Sequence, residues 1–173
     1  SVWKLKLIFK SKMNNSLKRK VFDSCVLPVL TYGAETLTLT KAPENKLRVA
    51  QRAMERSMLG ISLRDKMTNQ WIRQQTKVVD VMTRIASLKW NWAGHVAGVT
   101  YERWIIMNWR PPTTRPMGRP PERWIYSINR TAGTKWQQLA KDRSEWRKKG
   151  EVYIQQWITT LPKRLISHQI VFS

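Results

Sequence analysis

Residues 81–98 read VMTRIASLKWNWAGHVAG, and this stretch decides how the chain folds. Its apolar side chains follow one another at steps of four, three, four and four residues: Val81, Ile85, Leu88, Trp92 and Val96. That spacing predicts a helix with one continuous apolar face. Asp80, which comes directly before it, is a suitable N-cap residue. We therefore expect most of this stretch to be packing rather than a reactive site.

The other side of the predicted helix carries small residues. Trp90 points toward the side that holds the alanines at positions 86, 93 and 97, and with Gly94 these would let a second helix approach closely. His95 borders the apolar face, and no Cys, Ser, Asp or second His stands close to it in the sequence. A catalytic histidine needs such a partner, so we expect no catalytic role for His95.

Further helices are predicted on the N-terminal side of this stretch. Residues 15–30 have helical periodicity, and Pro28 must kink or end that helix because proline lacks an N–H. A second helix is predicted from near Pro43 to Leu59, with Gly60 as its stop. Its apolar stripe comprises Leu47, Ala50, Met54 and Met58. Thr68-Asn69 can cap a short helix that runs through Gln75. The pattern predicts a mainly α fold.

A proline-rich segment separates two helical regions. Residues 110–121, RPPTTRPMGRPP, contain five prolines and three arginines and no acidic residue, which is typical of an extended linker. Beyond it, Gly133 ends one short helix, Thr134 caps the next, and Gly150 breaks that helix before a last piece; Glu145 can pair with Lys149. We predict a helical region over 1–100, a basic linker over 101–121, a small helical unit over 122–160 and a disordered tail over 161–173.

The charge of the chain indicates its class of partner. Lys and Arg total 32 against 11 Asp and Glu, which gives a formal net charge of +21. A dense polyanion would relieve the self-repulsion, so nucleic acid is the first expected partner and a membrane surface the second. No charge-free stretch reaches the roughly 20 residues that span a bilayer. Cys25 is the single cysteine, which favours an intracellular setting and excludes a structural zinc site.

Ten tryptophans are the second compositional feature. Several follow or precede a basic residue, as in Lys89-Trp90, Trp109-Arg110 and Arg123-Trp124. Interleaved aromatic and basic residues suit base stacking and phosphate contacts. The alternative is that each indole is simply a large core residue, which is its commonest use.

The predicted helix that ends near residue 59 carries a ridge of arginines. Arg48, Arg52 and Arg56 recur every fourth residue, so they repel one another along the helix. The ridge is either a solvated face or a surface that awaits a phosphate backbone. The full set of predicted nucleic-acid-binding residues is Arg48, Arg52, Arg56, Lys89, Arg110, Arg115, Arg119, Arg123, Trp109 and Trp124.

Signatures of catalysis are missing from the sequence. It contains no glycine-rich phosphate loop, nucleophile elbow or HExxH pattern. Two-metal nucleotidyl transfer needs acids that converge on ions about 4 Å apart. The acids here are scattered, and Asp142 and Glu145 stand among basic residues that explain them as salt-bridge partners. We predict that this chain alone catalyses nothing and holds no metal or cofactor.

Five blocks in order carry a family resemblance: LPVLTYGAET (27–36), KLRVAQRAMERSMLGIS (46–62), LKWNWAGHVA (88–97), GRPPERW (118–124) and WQQLAKDRSEWR (136–147). Together they resemble the C-terminal part of an endonuclease–reverse transcriptase encoded by a non-LTR retrotransposon of the RTE type. The resemblance covers roughly residues 9–158. It implies thumb helices, then a basic C-terminal region that holds template or target.

The resemblance also implies what this chain lacks. In that family an endonuclease nicks target DNA and a polymerase palm, which needs Mg²⁺, copies RNA from the nick. The polymerase aspartates would precede Ser1, and the endonuclease acids would lie further upstream. The implied partners are RNA, DNA and the palm and fingers of the parent enzyme, in a nuclear or cytoplasmic ribonucleoprotein.

Three interpretations of function remain open on the sequence alone. The first is a non-catalytic thumb and C-terminal fragment that binds nucleic acid. The second is a free-standing DNA-binding protein derived from such an element, in which the GRP at 118–120 acts as a minor-groove arm. The third is a remnant without function. Leu37, Gly98 and the pair Ile125-Tyr126 depart from the family pattern in the way that drift would produce.

Overall fold

The computed structural model describes residues 8–98 and 124–158, and every regular element within them is helical. The prediction of a mainly α fold is confirmed. Two compact units divide the chain: one comprises Ser1–Ala34 and Leu39–Ile85, the other Glu35–Thr38 and Ala86–Ser173. The division falls after Ile85, inside a helix. The predicted linker and tail lie outside the described residues.

The first helical segment contains a change of hydrogen-bond register ahead of its proline. Helix α1 spans Asn15–Val21, a π-helical turn spans Phe22–Val26, and α2 spans Leu27–Leu30. Pro28 has no N–H to give to the carbonyl four residues before it, and in the π turn the Leu27 N–H instead reaches back five residues to Phe22 O. The helix therefore neither breaks nor ends at Pro28, because the register change accommodates the proline.

Helix α3 spans Lys41–Leu59 and ends where the sequence predicts. Gly60 adopts a left-handed conformation at φ 69°, and its N–H bonds to the carbonyls of Arg56 and Ser57. The N–H of Ile61 also returns to the Arg56 carbonyl at 3.1 Å, which completes a Schellman-type C-terminus. Glycine adopts the left-handed conformation at the lowest free-energy cost, because it has no side chain. The end of the helix could therefore be predicted from the position of Gly60.

Two further predicted caps of the first unit are confirmed. The Thr68 hydroxyl accepts the Trp71 N–H at the start of α4, Asn69–Thr76. The Asp80 carboxylate accepts the Met82 N–H at 2.9 Å, at the start of α5, Val81–Gly98. Helix α3 packs against α4, and α1 contacts both. The apolar core of this unit includes Phe9, Phe22, Val26, Leu27, Met58, Ile72, Val81, Met82 and Ile85.

The second unit is built on the small-residue side of α5. Three helices join it: α6 (Trp124–Ala132), α7 (Trp136–Leu139) and α8 (Arg143–Ile158). The rings of Trp90 and Trp146 stack with centroids 4.1 Å apart, and the Trp90 indole N–H donates to the Trp146 carbonyl at 3.0 Å. Tyr153 lies 5.0 Å from the Trp90 ring, and Trp136 lies 5.9 Å from that of Trp146. These indoles form a core.

Two glycines create the space for the stacked indoles. A methyl group at Gly94 would collide with the indole nitrogen of Trp146, and one at Gly150 would lie 2.6 Å from that of Trp90. Each tryptophan therefore covers the glycine of the opposite helix. The sequence had predicted close approach at Gly94, and this is confirmed. We call the four residues the tryptophan–glycine pairs.

Other predictions for the second unit were wrong. Helix α8 continues through Gly150, because the glycine serves the approach of Trp90 rather than a helix end. Residue Lys135, not Thr134, occupies the N-cap of α7, without a side-chain hydrogen bond. Glu145 pairs with Lys148 at 2.9 Å rather than with Lys149.

No described helix is both long and apolar enough to cross a bilayer.

Candidate nucleic-acid interface

The buried face of α3 is polar, contrary to the predicted apolar stripe. Of that stripe only Met58 is buried, whereas Gln51, Arg52 and Glu55 turn into the first unit. Arg52 forms one ion pair with Glu55 and a second with Asp80 at 2.9 Å. Arg52 thus connects α3 to the start of α5, and its side chain is only 7% exposed. These contacts give Arg52 a structural role, and its binding to nucleic acid stays a prediction.

The buried ion pairs belong to a larger polar cluster. Arg73 on α4 also pairs with Asp80, at 2.5 Å, and the Thr76 hydroxyl donates to Glu55 at 3.4 Å. Burial raises the pKa of Glu55, and the neighbouring Arg52 opposes that rise only in part. The cluster is a structural centre that fixes α3, α4 and the first turn of α5.

Gln51 completes this centre by clamping the backbone between α4 and α5. Its side-chain NH₂ donates to the Val79 carbonyl at 2.9 Å, and its carbonyl oxygen accepts the Val81 N–H at 2.8 Å. Both backbone groups are thereby satisfied where no helical partner exists for them. Gln51 and Arg52 are therefore both held inside by partners that are distant in sequence.

The remaining predicted residues of the described chain have different environments. Arg48 pairs with Glu44 at 2.9 Å, so the ridge of three arginines is not a continuous surface. Lys89 is buried, with 4% of the residue exposed, and its contact with nucleic acid stays a prediction. Arg56 is half-buried and lines a groove. Arg110, Arg115, Arg119, Arg123 and Trp109 lie outside the described residues, and Trp124 is the first residue of α6.

The groove beside Arg56 is the strongest candidate binding site in the first unit. It encloses about 910 Å³ between the chain before α1 and the C-terminal end of α3. Lys10 and Lys12 are exposed on one wall and Arg56 lies on the other. Lys18 lies deeper, where its ammonium donates to the Met58 carbonyl at 3.0 Å and so satisfies the end of α3. We call this site the α3 groove.

The α3 groove combines cationic and apolar surface. Phe9, Met13, Leu59 and Leu63 contribute apolar lining. Its single acidic residue, Asp65, accepts the Ser62 N–H at 2.6 Å within the 3₁₀ turn Leu63–Asp65. That carboxylate is held by its own turn rather than by the lysines. The groove therefore suits a ligand with phosphates for the cations and a sugar or base face for the apolar wall.

Of the four cations that line the groove, only Arg56 was predicted from the sequence. Arg56 belongs to the predicted ridge, but Lys10 and Lys12 stand in a segment without helical periodicity, before the first predicted helix. The only signal for them in the sequence is that other lysines stand close by. Because the groove forms between segments that are 35 or more residues apart in sequence, spacing alone does not predict it.

No cluster of three or more potential metal-ligating side chains occurs among the residues that the structure describes. The groups that the structure brings together are suited to binding, with three lysines and one arginine on the α3 groove. The chemistry that it supports is the recognition of anions.

Comparison with known proteins gives one informative relative. A protein of Caenorhabditis elegans, named as transposon-derived, is 34% identical over 149 residues; the match covers 77% of this chain and 53% of that protein. The chain thus spans about half the length of this curated relative. The similarity supports an origin in a transposable element. No family model and no solved structure matches the chain.

Proposed function

We propose that this chain is the thumb and C-terminal part of a non-LTR retrotransposon reverse transcriptase of the RTE type, and that it binds template–primer or target DNA without catalysing a reaction. The observation that carries the proposal is the α3 groove, where Lys10, Lys12 and Arg56 line one cavity with apolar walls. The net charge of +21 and the transposon-derived relative support the same interpretation.

The groove cations would act by neutralising phosphates. A protein that neutralises some six to ten phosphates loses about 10³- to 10⁵-fold in affinity between 50 and 200 mM salt. The three groove cations would supply part of that number, and other exposed basic residues the remainder. Because phosphates and not base edges are contacted, we expect similar affinities for RNA–DNA hybrid and DNA duplex of any sequence.

Removal of the groove cations tests the proposal. We expect the variant K10A/K12A/R56A to bind duplex more weakly and with a smaller salt dependence. Each lost phosphate contact lowers the slope of log affinity against log salt concentration by about 0.9. Between 50 and 200 mM salt, the affinity of the variant should therefore fall about 40-fold less than that of the wild type. Fluorescence anisotropy with labelled 20-base-pair DNA and RNA–DNA hybrid measures both quantities.

The variant K41A/K46A/R84A is the matched control, since it also removes two lysines and one arginine, all of them exposed in the first unit. An equal loss of duplex affinity in both variants would show that the removal of any three positive charges weakens binding, and that the α3 groove is not the binding site. A wild-type affinity that does not change with salt would refute nucleic-acid binding through phosphates.

A further inference from the structure

The outer side of α8 in the second unit is strongly cationic. Five basic residues stand within nine positions at the N-terminal end of this helix, and all five are exposed: Lys141, Arg143, Arg147, Lys148 and Lys149. Sequence reasoning attributed this region to ordinary salt bridging with Asp142 and Glu145. The structure confirms a salt bridge for Glu145, with Lys148, whereas Asp142 caps the helix.

Asp142 is the N-cap of α8. Its Oδ1 accepts the backbone N–H of Ser144 at 2.9 Å, that of Glu145 at 3.1 Å and the Ser144 hydroxyl at 2.8 Å. These hydrogen bonds, with that from the Ser144 side chain as the largest cause, lower the pKa of Asp142. The carboxylate is committed to the first turn of the helix, where an N-cap is needed.

Glu145 is committed as well, because it pairs with Lys148 at 2.9 Å. The structure shows no ion pair for Lys141, Arg143, Arg147 or Lys149 within the residues that it describes. Arg143 and Arg147 are four residues apart on one helix, or about 6 Å along its axis, so they repel each other. Binding of an extended polyanion would relieve that repulsion.

The remaining face of α8 identifies the class of partner. Trp146 and Tyr153 are buried in the core of the second unit, and Gly150 lies beneath Trp90. A helix that binds a membrane surface needs a free apolar face beside its basic one. In α8 that face is already occupied by the indole core. The exposed side therefore presents cations, as a site for phosphates along a nucleic acid does.

We propose that Arg143 and Arg147, with Lys141 directly before the helix, form a second phosphate-binding surface, in the second unit, which contacts the backbone of the nucleic acid independently of the α3 groove. The identity of the polyanion as nucleic acid rests on the proposed function. The α8 surface binds without reading sequence, since it offers charged side chains to phosphates and no group to base edges.

The variant R143A/R147A tests the α8 surface. We expect the salt dependence of binding to 20-base-pair DNA to weaken. The loss of two phosphate contacts lowers the slope of log affinity against log salt concentration by about 0.9 for each, so the affinity should fall about tenfold less between 50 and 200 mM salt than in the wild type. R143K/R147K keeps both charges and should behave as the wild type does. Alanine is the best helix former, so α8 should persist, and far-ultraviolet circular dichroism checks this.

Three comparisons make the outcome decisive. K46A/R84A removes two exposed charges of the first unit, and an equal effect there would overturn the α8 surface. If K10A/K12A/R56A weakens binding and R143A/R147A does not, the α8 surface is refuted and the proposed function stands. If the wild type binds vesicles of phosphatidylserine in an Arg143- and Arg147-dependent manner but not DNA, a membrane replaces nucleic acid and both proposals fail.

Discussion

Replacing Trp90 with alanine should destabilise the second unit by about 3 to 5 kcal/mol, the range for removing a buried tryptophan. The indole is 2% exposed, stacks on Trp146 and donates a hydrogen bond to its carbonyl. Its removal would leave an empty space over Gly150, which has no side chain to fill it. Urea unfolding followed by circular dichroism measures the loss.

Trp71 provides the matched control for this substitution. Its side chain is on α4 of the first unit and is 37% exposed, so W71A should change stability by far less. If W90A lost as little stability as is expected for W71A, the indole of Trp90 would not be a core element. The stacked arrangement in the second unit would then be incorrect.

Replacing Glu55 with alanine should cost the first unit roughly 3 to 5 kcal/mol, as does removing one partner of a buried ion pair. The Glu55 side chain is fully buried beside Arg52. Without it, the guanidinium groups of Arg52 and Arg73 would share the single carboxylate of Asp80. The buried positive charge would be only partly compensated.

Glu44 is the control for Glu55, since it pairs with an arginine of the same helix nearer the surface. That pair has both side chains 20% exposed, so E44A should lose no more than about 1 kcal/mol. Urea midpoints at pH 7 compare the two variants. A larger loss in E44A than in E55A would contradict the structural role assigned to the buried cluster.

The pH dependence of the same site gives a test that separates charge from packing. Because burial raises the pKa of Glu55, the folded protein binds this proton more readily than the unfolded chain does. The stability of the wild type relative to E55Q should therefore be greatest below the unfolded pKa of about 4.3 and should decline as the pH rises through the folded pKa. If the stability of the wild type relative to E55Q increased with pH, folding would lower the pKa of Glu55 rather than raise it.

The sequence predicts the local features of this fold well. The caps at Thr68 and Asp80 and the stop at Gly60 depend on a few neighbouring residues, so their residue types are sufficient signals. The helical character of the chain follows from apolar periodicity in the same way. The interpretation of the indoles as core residues is confirmed for Trp90 and Trp146.

Features that depend on distant partners were not predictable. Arg52 looks like a surface residue until Asp80, 28 positions away, is placed beside it. Gly150 has the sequence signal of a helix stop, but it is an approach point because Trp90 on another helix needs the space. The α3 groove has the same origin, since Lys10 and Arg56 become neighbours only when the chain before α1 meets the end of α3.

The tryptophan–glycine pairs restrict how this sequence can diverge. A side chain at position 150 becomes sterically acceptable only after the indole at position 90 has been lost, and the same holds for positions 94 and 146. Substitutions at these sites should therefore occur in a fixed order, in which the tryptophan of a pair is replaced before the glycine. Among copies of the element that no longer fold, this order would disappear, which distinguishes selected lineages from decaying ones.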